Sequence, residues 1–480
     1  MNSNNNRDRR ADARARARAR TGTFPRVTSS VNTPTPSLRG ANGRAAVAVN
    51  PPTGRVSGRT APNRSRGVNR AAKAPSHPAR PEREVRQIRE VRRRRKPRTS
   101  VLAREREPFA KFDMPLFVIV LILAVFGLGM LLSASHSFAL REHGDSYHFF
   151  NLQLVFMAVG IGIAVLISYF NYRLLLNRWV LLALVGGSLA LMLAVQFSDA
   201  AVTQGGAERW ITLFGVTFQP SEILKFALIV VLAWMTHKYP ERIKTFGGAF
   251  RIAFVIGIAC LLTIIQPHLS GTVIMLAIGL SLMTISGCKL RWVGLLVALI
   301  IIAAAFTPAI MESFGFTYSD ARFTSWRNPF EDIQGDTFQT FQSLVAIGSG
   351  GWFGLGFDNS RQKFSYLPAA HNDFIFSVIV EELGFVGGIA VLMLFTIFVL
   401  RGFYIASRAP DRFGAMLAAG ITAQIGIQAF LNIAVATNTV PNTGVSLPFF
   451  SYGGTALIMQ LAQIGVLLNI SRKARVGFDD

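Results

Sequence analysis

The stretch from Met114 to Ser135 reads MPLFVIVLILAVFGLGMLLSAS and contains no charged residue. A helix of this length spans the roughly 30 Å hydrocarbon core of a bilayer. Helices are expected because lipid cannot satisfy exposed backbone groups and the apolar runs lack a period-2 pattern. The chain is therefore predicted to be an all-α polytopic membrane protein of about ten transmembrane helices. The nine further apolar segments lie near Leu152–Phe170, Trp179–Phe197, Ser221–Thr236, Ile252–Ile265, Gly271–Ser286, Trp292–Ile310, Phe374–Leu400, Phe413–Ala436 and Phe450–Ile470.

The positive charge of the chain is concentrated before the first apolar segment. The 480 residues are 51% hydrophobic and 16% charged, yet the net charge is +24. Residues 1–113 hold 29 of the 50 Lys+Arg and 8 of the 26 Asp+Glu. This split excludes a soluble enzyme with one large core. It predicts a disordered basic cytoplasmic tail (1–113), a membrane domain (114–473) and a short cytoplasmic C-terminus (474–480).

The basic tail has two interpretations. Ala and Arg alternate strictly over Ala13–Arg20, and Arg92–Lys96 is a run of five cations. Such runs are compatible with nucleic-acid binding or with anionic lipid headgroups, to which each cation contributes on the order of 1 kcal/mol. No aromatic side chains interleave with these runs to stack on bases, and a membrane domain follows directly. We therefore expect anionic lipids as partners and no nucleic acid.

The distribution of basic residues predicts the orientation. With the tail in the cytoplasm, fourteen Lys and Arg residues fall in inner loops and the C-terminus, and six fall in outer connections. Ten crossings then place both termini in the cytoplasm. The connection between the seventh and eighth segments, about 311–373, becomes a large extracytoplasmic loop, and its many aromatic residues predict an ordered structure.

Charged residues in or beside the apolar segments are the informative ones, because each is costly in a membrane unless paired or hydrated. Glu222 and Lys225 are three residues apart and share one helix face. They form either a structural ion pair or the polar floor of an outward-facing substrate cavity. Two adjacent carboxylates, Glu381 and Glu382, point about 100° apart on a helix. A capping or pairing role is favoured for them.

Asp373 lies where the large loop enters the eighth segment. It is either the N-cap of that helix or an outward-facing general base. His371, two residues earlier, has three interpretations: a second titrating group, a hydrogen-bond donor, or a loop histidine with no functional role.

The sequence contains no phosphate-binding glycine loop, no His-Glu-x-x-His and no Asp-x-Asp metal pair. We therefore expect no required cofactor and no metal site. The cysteines, Cys260 and Cys288, predict neither a disulfide framework nor a Cys-based metal site. Without a metal ion, Arg and Lys side chains on the outer side would stabilise anionic charge. The candidates are Arg209, Arg322, Arg327, Arg361 and Lys363.

A set of motifs, in order over residues 114–473, resembles the SEDS family (shape, elongation, division and sporulation). The motifs are Gly206-x-x-Arg209-Trp210-Ile211, Gln219-Pro220-Ser221-Glu222-x-x-Lys225, Gln266-Pro267-His268-Leu269-Ser270-Gly271-Thr272, Gln342-Ser343, Gly350-Gly351-x-x-Gly354-x-Gly356, Leu367-Pro368-x-x-His371-x-Asp373-Phe374 and Leu447-Pro448-Phe449-Phe450-Ser451-Tyr452-Gly453-Gly454. The run from Asn359 to Pro368 resembles the division or sporulation type, the FtsW-like branch, rather than the elongation type.

The resemblance implies a peptidoglycan glycosyltransferase in the bacterial cytoplasmic membrane, at the division septum. Its substrate would be lipid II, polymerised by inversion into β-1,4 glycan at the outer face. Its partners would be a class B penicillin-binding protein transpeptidase and other divisome proteins. By the same resemblance Asp373 is the catalytic base. The residues expected to contact the substrate are Arg209, Trp210, Glu222, Lys225, Lys363 and His371.

Two positions depart from the family pattern. Asn372 replaces the usual Thr between the His and the Asp, and Ala369 replaces the usual Glu after Leu-Pro. The first change keeps a hydrogen-bonding side chain, whereas the second removes a carboxylate. Two other classes of function stay open: a lipid II flippase, and a scaffold that recruits a transpeptidase without catalysis. Few charges lie deep in the helices, which favours the enzyme over the transporter.

Overall fold

A computed structural model of the chain describes residues 112–197, 201–204, 207–213, 216–266, 268–313, 318–335, 337–364, 367 and 370–474. All of them belong to one compact unit, Lys96–Asp480. The predicted tail up to residue 111 and the last six residues of the predicted C-terminus lie outside the described residues, as does Ala369.

The described residues form twelve α-helices, two short 3-10 helices and three strands. The helices are α1 (Met114–His143), α2 (His148–Tyr169), α3 (Arg178–Phe197), α4 (Pro220–Lys238), α5 (Phe246–Ile265), α6 (Leu269–Ile285), α7 (Leu290–Ser313), α8 (Tyr318–Arg327), α9 (Phe338–Ser349), α10 (Ile375–Arg408), α11 (Arg412–Ala436) and α12 (Gly454–Lys473). The strands are β1 (Ala201–Gln204), β2 (Ala207–Leu213) and β3 (Val216–Phe218), and the 3-10 helices are Tyr172–Leu176 and Arg242–Lys244.

Within the described residues, eight helices are long and apolar enough to cross a membrane, and α6 and the apolar part of α7 are shorter. These ten helices coincide with the ten apolar segments of the sequence. The prediction of an all-α polytopic membrane fold is confirmed. The number of crossings and the cytoplasmic position of the termini stay predictions. Helices α8 and α9 lie in the described part of the large connection before α10.

The polarity of five helices matches their position in the bundle. The most apolar windows of α4, α11 and α12 are 67%, 78% and 72% buried, and their mean hydropathy is only 1.2 to 1.4. The corresponding windows of α2 and α3 are 22% and 17% buried, with mean hydropathy of 2.3 and 2.0. Peripheral helices offer apolar side chains to lipid, whereas the central helices direct polar side chains at one another.

The connection between α3 and α4 contains a small antiparallel sheet in the order β1-β2-β3, which was not predicted from the sequence. Residue Val202 pairs with Trp210, and Ile211 pairs with Phe218. The central strand β2 packs against α3 and α4. The sheet therefore holds Arg209 and Trp210 over the ends of two membrane helices.

Helix α10 is broken at Gly384, where φ is 71° and ψ is −171°. The segment 350–356 pairs with the broken turn through backbone hydrogen bonds. The amides of Leu355 and Gly356 donate to the carbonyls of Glu381 and Glu382, each at 3.0 Å, and the amide of Phe385 donates to Gly351 at 2.9 Å. The loop thus satisfies backbone groups that the break removes from the helix, as burial in a membrane protein requires.

Gly384→Ala is expected to destabilise the protein by about 1–3 kcal/mol, because its backbone region is accessible almost only to glycine. An added Cβ would also collide with the backbone of Trp352 and Gly354. The measurement is the thermal midpoint of the purified protein in detergent. Gly187→Ala is the matched control, since that α3 glycine has open space around its Cβ position. Equal midpoints for the two variants would contradict the prediction.

Candidate active site

Asp373 lies in the turn that leads into α10. We call this end of the bundle, where α4, α10 and α12 begin and α11 ends, the loop end. The N-cap residue of α10 is Phe374, so the alternative that Asp373 caps the helix is wrong. The side chain of Asp373 is half-buried. It lies between the large loop and the bundle, and its outward orientation stays a prediction.

The backbone around Asp373 is held by α11. The amide nitrogen Nδ2 of Asn432 donates to the carbonyl of Asp373 at 2.8 Å and to the carbonyl of Val445 at 2.6 Å. Gly444, with φ of +70°, is so near that a Cβ there would lie 3.2 Å from Oδ2 of Asp373. One buried amide therefore joins the two segments that flank the carboxylate.

Two arginines act on the Asp373 carboxylate. Arg322 on α8 donates from Nη1 to the carbonyl of Asn442 at 2.8 Å. Arg209 comes from β2. Burial raises the pKa of Asp373 above its ordinary value, against the opposing effect of Arg322 and Arg209. A carboxylate with a raised pKa beside two guanidinium groups is suited to accept a proton near an anionic substrate.

Glu222 and Lys225 form a buried ion pair, with Lys225 Nζ 2.7 Å from Oε1 of Glu222. Lys225 also donates to Oε1 of Gln428 on α11 at 3.1 Å, and Gln428 donates to both oxygens of Ser446 at 3.2 Å. Oε2 of Glu222 is buried and has no hydrogen-bond partner. The predicted pairing is confirmed, and the pair connects through Gln428 to the segment that flanks Asp373.

His268 lies near the Glu222–Lys225 pair. The sequence predicted no role for it beyond its place in a motif. Its Nε2 lies 3.4 Å from Nε2 of Gln219. Burial, and then the charges of Arg209 and Lys225, lower the pKa of His268 to about 3. The imidazole is therefore neutral at physiological pH. Arg209 is close enough to act on both His268 and Asp373, which places these residues around one polar region at the loop end.

His371 is packed between aromatic rings. Its ring centroid lies 4.8 Å from that of Phe138 and 5.3 Å from that of Phe149, both in stacked geometry. Its carbonyl accepts a hydrogen bond from the amide of Tyr452 at 3.0 Å. Burial lowers the pKa of His371 to about 4, so the ring is neutral at pH 7. The contacts indicate that His371 fixes the turn before Asp373.

Lys363 lies in a second buried ion-pair network. Its Nζ lies 2.5 Å from Oδ1 of Asp358 and 3.2 Å from Oε1 of Glu382, and it donates to Oγ of Ser133 on α1 at 3.1 Å. The Lys363 side chain is only 2% exposed. The described contacts of this ammonium tie the loop to α1 and α10. They do not bring it to the carboxylate of Asp373.

The adjacent carboxylates of Glu381 and Glu382 on α10 both bind residues of the connection between α9 and α10. Glu381 accepts hydrogen bonds from Oγ of Ser360 at 2.5 Å and from the amide of Arg361 at 2.8 Å, while Glu382 pairs with Lys363. The structural interpretation of the two glutamates is confirmed.

Trp210 and Arg209 are neighbours on β2. The pairing of β2 with β1 is irregular here, because Val202 pairs with Trp210 and Thr203 pairs with Glu208, so Arg209 lies at a break in the regular strand register. Within the part of the chain that the structure describes, no group of three or more His, Cys, Asp or Glu side chains is arranged to hold a metal ion. The absence of a required cofactor stays a prediction.

Comparison with known proteins places this geometry in a family. Residues 114–476 match the profile of the FtsW, RodA and SpoVE family, described as cell cycle proteins. The chain belongs to this family. Similar relatives include a probable peptidoglycan glycosyltransferase FtsW of Geobacter sp. (strain M18), 35% identical over 76% of this chain and 98% of that protein. The stage V sporulation protein E of Bacillus subtilis (strain 168) is 37% identical over the same shares.

Solved structures are similar to this chain as well. One is a chain of a peptidoglycan synthase complex that coordinates polymerization and crosslinking, with a TM-score of 0.63 and 26% identity over 76% of this chain and 99% of that one. Another is the rod shape determining protein RodA of Thermus thermophilus, with a TM-score of 0.55 and 26% identity over 76% of this chain and 98% of that one. The predicted resemblance to the SEDS family is confirmed, and the family match begins after the basic tail.

Proposed function

We propose that this chain is a peptidoglycan glycosyltransferase that polymerises lipid II at the outer face of the cytoplasmic membrane, with Asp373 as general base. The observation that carries the proposal is the Asp373 carboxylate at the loop end, with a pKa raised by burial and with Arg322 and Arg209 acting on it. Family membership and the names of the relatives support the same reaction class. The septal location and a class B transpeptidase partner belong to the proposal.

The reaction joins two lipid-linked glycans. The C4 hydroxyl of the acceptor attacks C1 of the donor, and Asp373 accepts the hydroxyl proton as the new C–O bond forms. The bond from C1 to the pyrophosphate oxygen breaks, and its electron pair leaves with the polyprenyl pyrophosphate. Attack on the α-linked donor from the opposite side gives a β-1,4 linkage.

Positively charged side chains must stabilise the negative charge of the departing pyrophosphate. The charges of Arg209 and Lys225 both act on His268 at the loop end, and both residues were predicted to contact the substrate. We replace Lys363 with Arg322 in the proposal, because Lys363 is in its own buried network and Arg322 acts on Asp373.

The test of the function is polymer formation in detergent micelles. Purified protein and its cognate transpeptidase, which must carry no glycosyltransferase domain, are given lipid II. A micelle has no second compartment, so a flippase leaves lipid II unchanged there. Glycan strands that a muramidase degrades are the expected product. Unchanged lipid II from an intact complex would contradict the proposed function.

Asn432→Leu is expected to lower kcat for polymerisation about tenfold or more, with little change in KM. The substitution removes the hydrogen bonds that hold the backbone of Asp373, and small misplacements of a catalytic group are costly. Steady-state kinetics provide the measurement.

Asn469→Leu is the matched control, because Asn469 is also buried and makes two hydrogen bonds, to Ser168 and Tyr172. It is expected to lose a similar amount of stability and to keep its kcat. An equal loss of kcat in both variants would mean that Asn432 has no specific positioning role.

A further inference from the structure

Two polar clusters connect α1 to α10 at different heights in the bundle. At the end opposite the loop end, the carboxylate of Asp113 pairs with Arg401 at 2.7 Å. Nearer the loop end, the hydroxyl of Ser133 donates to Oε1 of Glu382 at 2.5 Å, and Lys363 binds both of these side chains. Neither helix carries a charged residue between the two clusters. The clusters therefore delimit the part of α1 and α10 that is suited to lie among lipid chains.

The distance between the two clusters matches the thickness of a bilayer. Ser133 follows Asp113 by twenty residues, and Arg401 follows Glu382 by nineteen. At 1.5 Å per residue the clusters are separated by roughly 30 Å along α1 and roughly 28 Å along α10. Both values agree with a hydrocarbon core of about 30 Å. The cluster around Glu382 thus marks the boundary between lipid chains and headgroups at the loop end, which in the predicted orientation belongs to the outer leaflet.

Large aromatic side chains are exposed at this height. The segment that follows α9 is held there by its backbone, because the amides of Leu355 and Gly356 donate to the carbonyls of Glu381 and Glu382. The exposed side chains, which we call the aromatic rim, are between 52% and 83% exposed and comprise Trp352, Phe353, Phe357, Phe364 and Phe385.

The aromatic rim reaches from α10 to α1. The ring of Trp352 contacts that of Phe385 on α10 edge-on, with the centroids 5.4 Å apart. At the α1 side, the ammonium of Lys363 lies 5.7 Å from the ring centroid of Phe364 and also binds Ser133. The exposed rings therefore follow the outer edges of two helices at one height, as the aromatic belt of a membrane protein does.

We propose that the aromatic rim anchors the large connection in lipid, at the boundary between the headgroups and the acyl chains. Trp is enriched at this boundary, and Phe side chains are stabilised by the acyl chains beside it, whereas an apolar patch of this kind is unfavourable in water. Lipid is favoured over a protein partner because the rim lies at the height of the bilayer boundary and spans two helices.

The anchor also sets the height of the candidate active site. Helix α10 begins at Ile375, seven residues before Glu382, so its start lies roughly 10 Å above the boundary. The turn that carries Asp373 is thereby held beside the lipid headgroups.

The test measures depth by electron paramagnetic resonance on the full-length protein in nanodiscs of phosphatidylcholine and phosphatidylglycerol. A nitroxide is attached to Phe353→Cys, and its collision rate with O2, which concentrates among lipid chains, is divided by that with a water-soluble nickel chelate. Cys260 and Cys288 are buried, so wild type given the same reagent is the blank. Phe357→Cys is a second variant, in case the labelled Phe353→Cys does not fold.

Tyr147→Cys and Val125→Cys are the matched references, because these residues are 53% and 54% exposed. Tyr147 follows the end of α1, which lies roughly 15 Å above Ser133, and Val125 lies roughly 12 Å below Ser133. The ratio of the two collision rates is expected to rise severalfold from Tyr147 to Phe353 and again from Phe353 to Val125. Adding the transpeptidase is expected to leave the O2 rate at Phe353 unchanged.

Three results would overturn the anchor. A label at Phe353 that meets the nickel chelate as often as the label at Tyr147 would place the rim in water. A label that neither probe reaches would mean that protein covers the rim, and an O2 rate that the transpeptidase abolishes would assign the rim to that partner.

Discussion

Polymerisation of lipid II by the Asp373→Asn variant is expected to fall by about a hundredfold to ten-thousandfold, the usual contribution of a general base. The amide has nearly the shape of the carboxylate, so folding and binding of the transpeptidase should persist, but it cannot accept the acceptor's proton. Initial rates of glycan formation with the cognate transpeptidase are the measurement. Asp145→Asn is the matched control, an exposed aspartate in the connection between α1 and α2 that should keep the wild-type rate.

The pH profile of the wild type provides a second readout of the same residue. The base acts only as the carboxylate, so kcat/KM should rise with pH through the pKa of Asp373. Because burial raises that pKa, the acidic limb should lie above the range of an ordinary aspartate. An acidic limb unchanged in the residual activity of Asp373→Asn would show that another group titrates there.

The second large effect is expected on stability. Lys363→Met leaves the fully buried Glu382 without its ion-pair partner, which typically costs about 3–5 kcal/mol. The thermal midpoint in detergent should fall clearly, and the double variant Lys363→Met, Glu382→Gln should recover much of the loss. KM for lipid II should stay near the wild-type value in any variant that remains folded, because the described contacts of Lys363 are structural.

Lys244→Met is the control for this prediction. Lys244 pairs with Glu241 at 3.0 Å, but both side chains are at least half exposed, so the expected cost is about 0–1 kcal/mol. A raised KM without loss of stability in Lys363→Met would support the predicted contact of Lys363 with the substrate and contradict a purely structural role.

The membrane helices were predictable because each needs only a local run of apolar residues. The sheet could not be predicted in the same way. Strand β2 has only seven residues, and it is defined by its pairing with β1 and β3 and not by a local pattern. The break in α10 was hidden as well. Gly384 breaks the helix, and the broken turn pairs with a loop from some thirty residues earlier, a contact that no local pattern shows.

The site was predicted in part. Asp373 and the Glu222–Lys225 pair follow from charges near apolar segments, which are costly unless they have partners. The environments of Lys363 and His371 depend on α1 and α2, more than 200 residues away in sequence, and no local pattern shows such contacts. One signal was missed: Gln424, Gln428 and Asn432 recur every four residues in an apolar segment, which predicts a polar stripe on one helix face.

The most direct test of the central claim is polymer length on a gel, with labelled lipid II and the purified protein bound to its transpeptidase. Wild type and Asp373→Ala are compared at equal occupancy of the complex, with the transpeptidase active site blocked. We predict long glycan strands from wild type and unreacted lipid II from the variant. Strands of equal amount and length from both would contradict a glycosyltransferase that depends on Asp373.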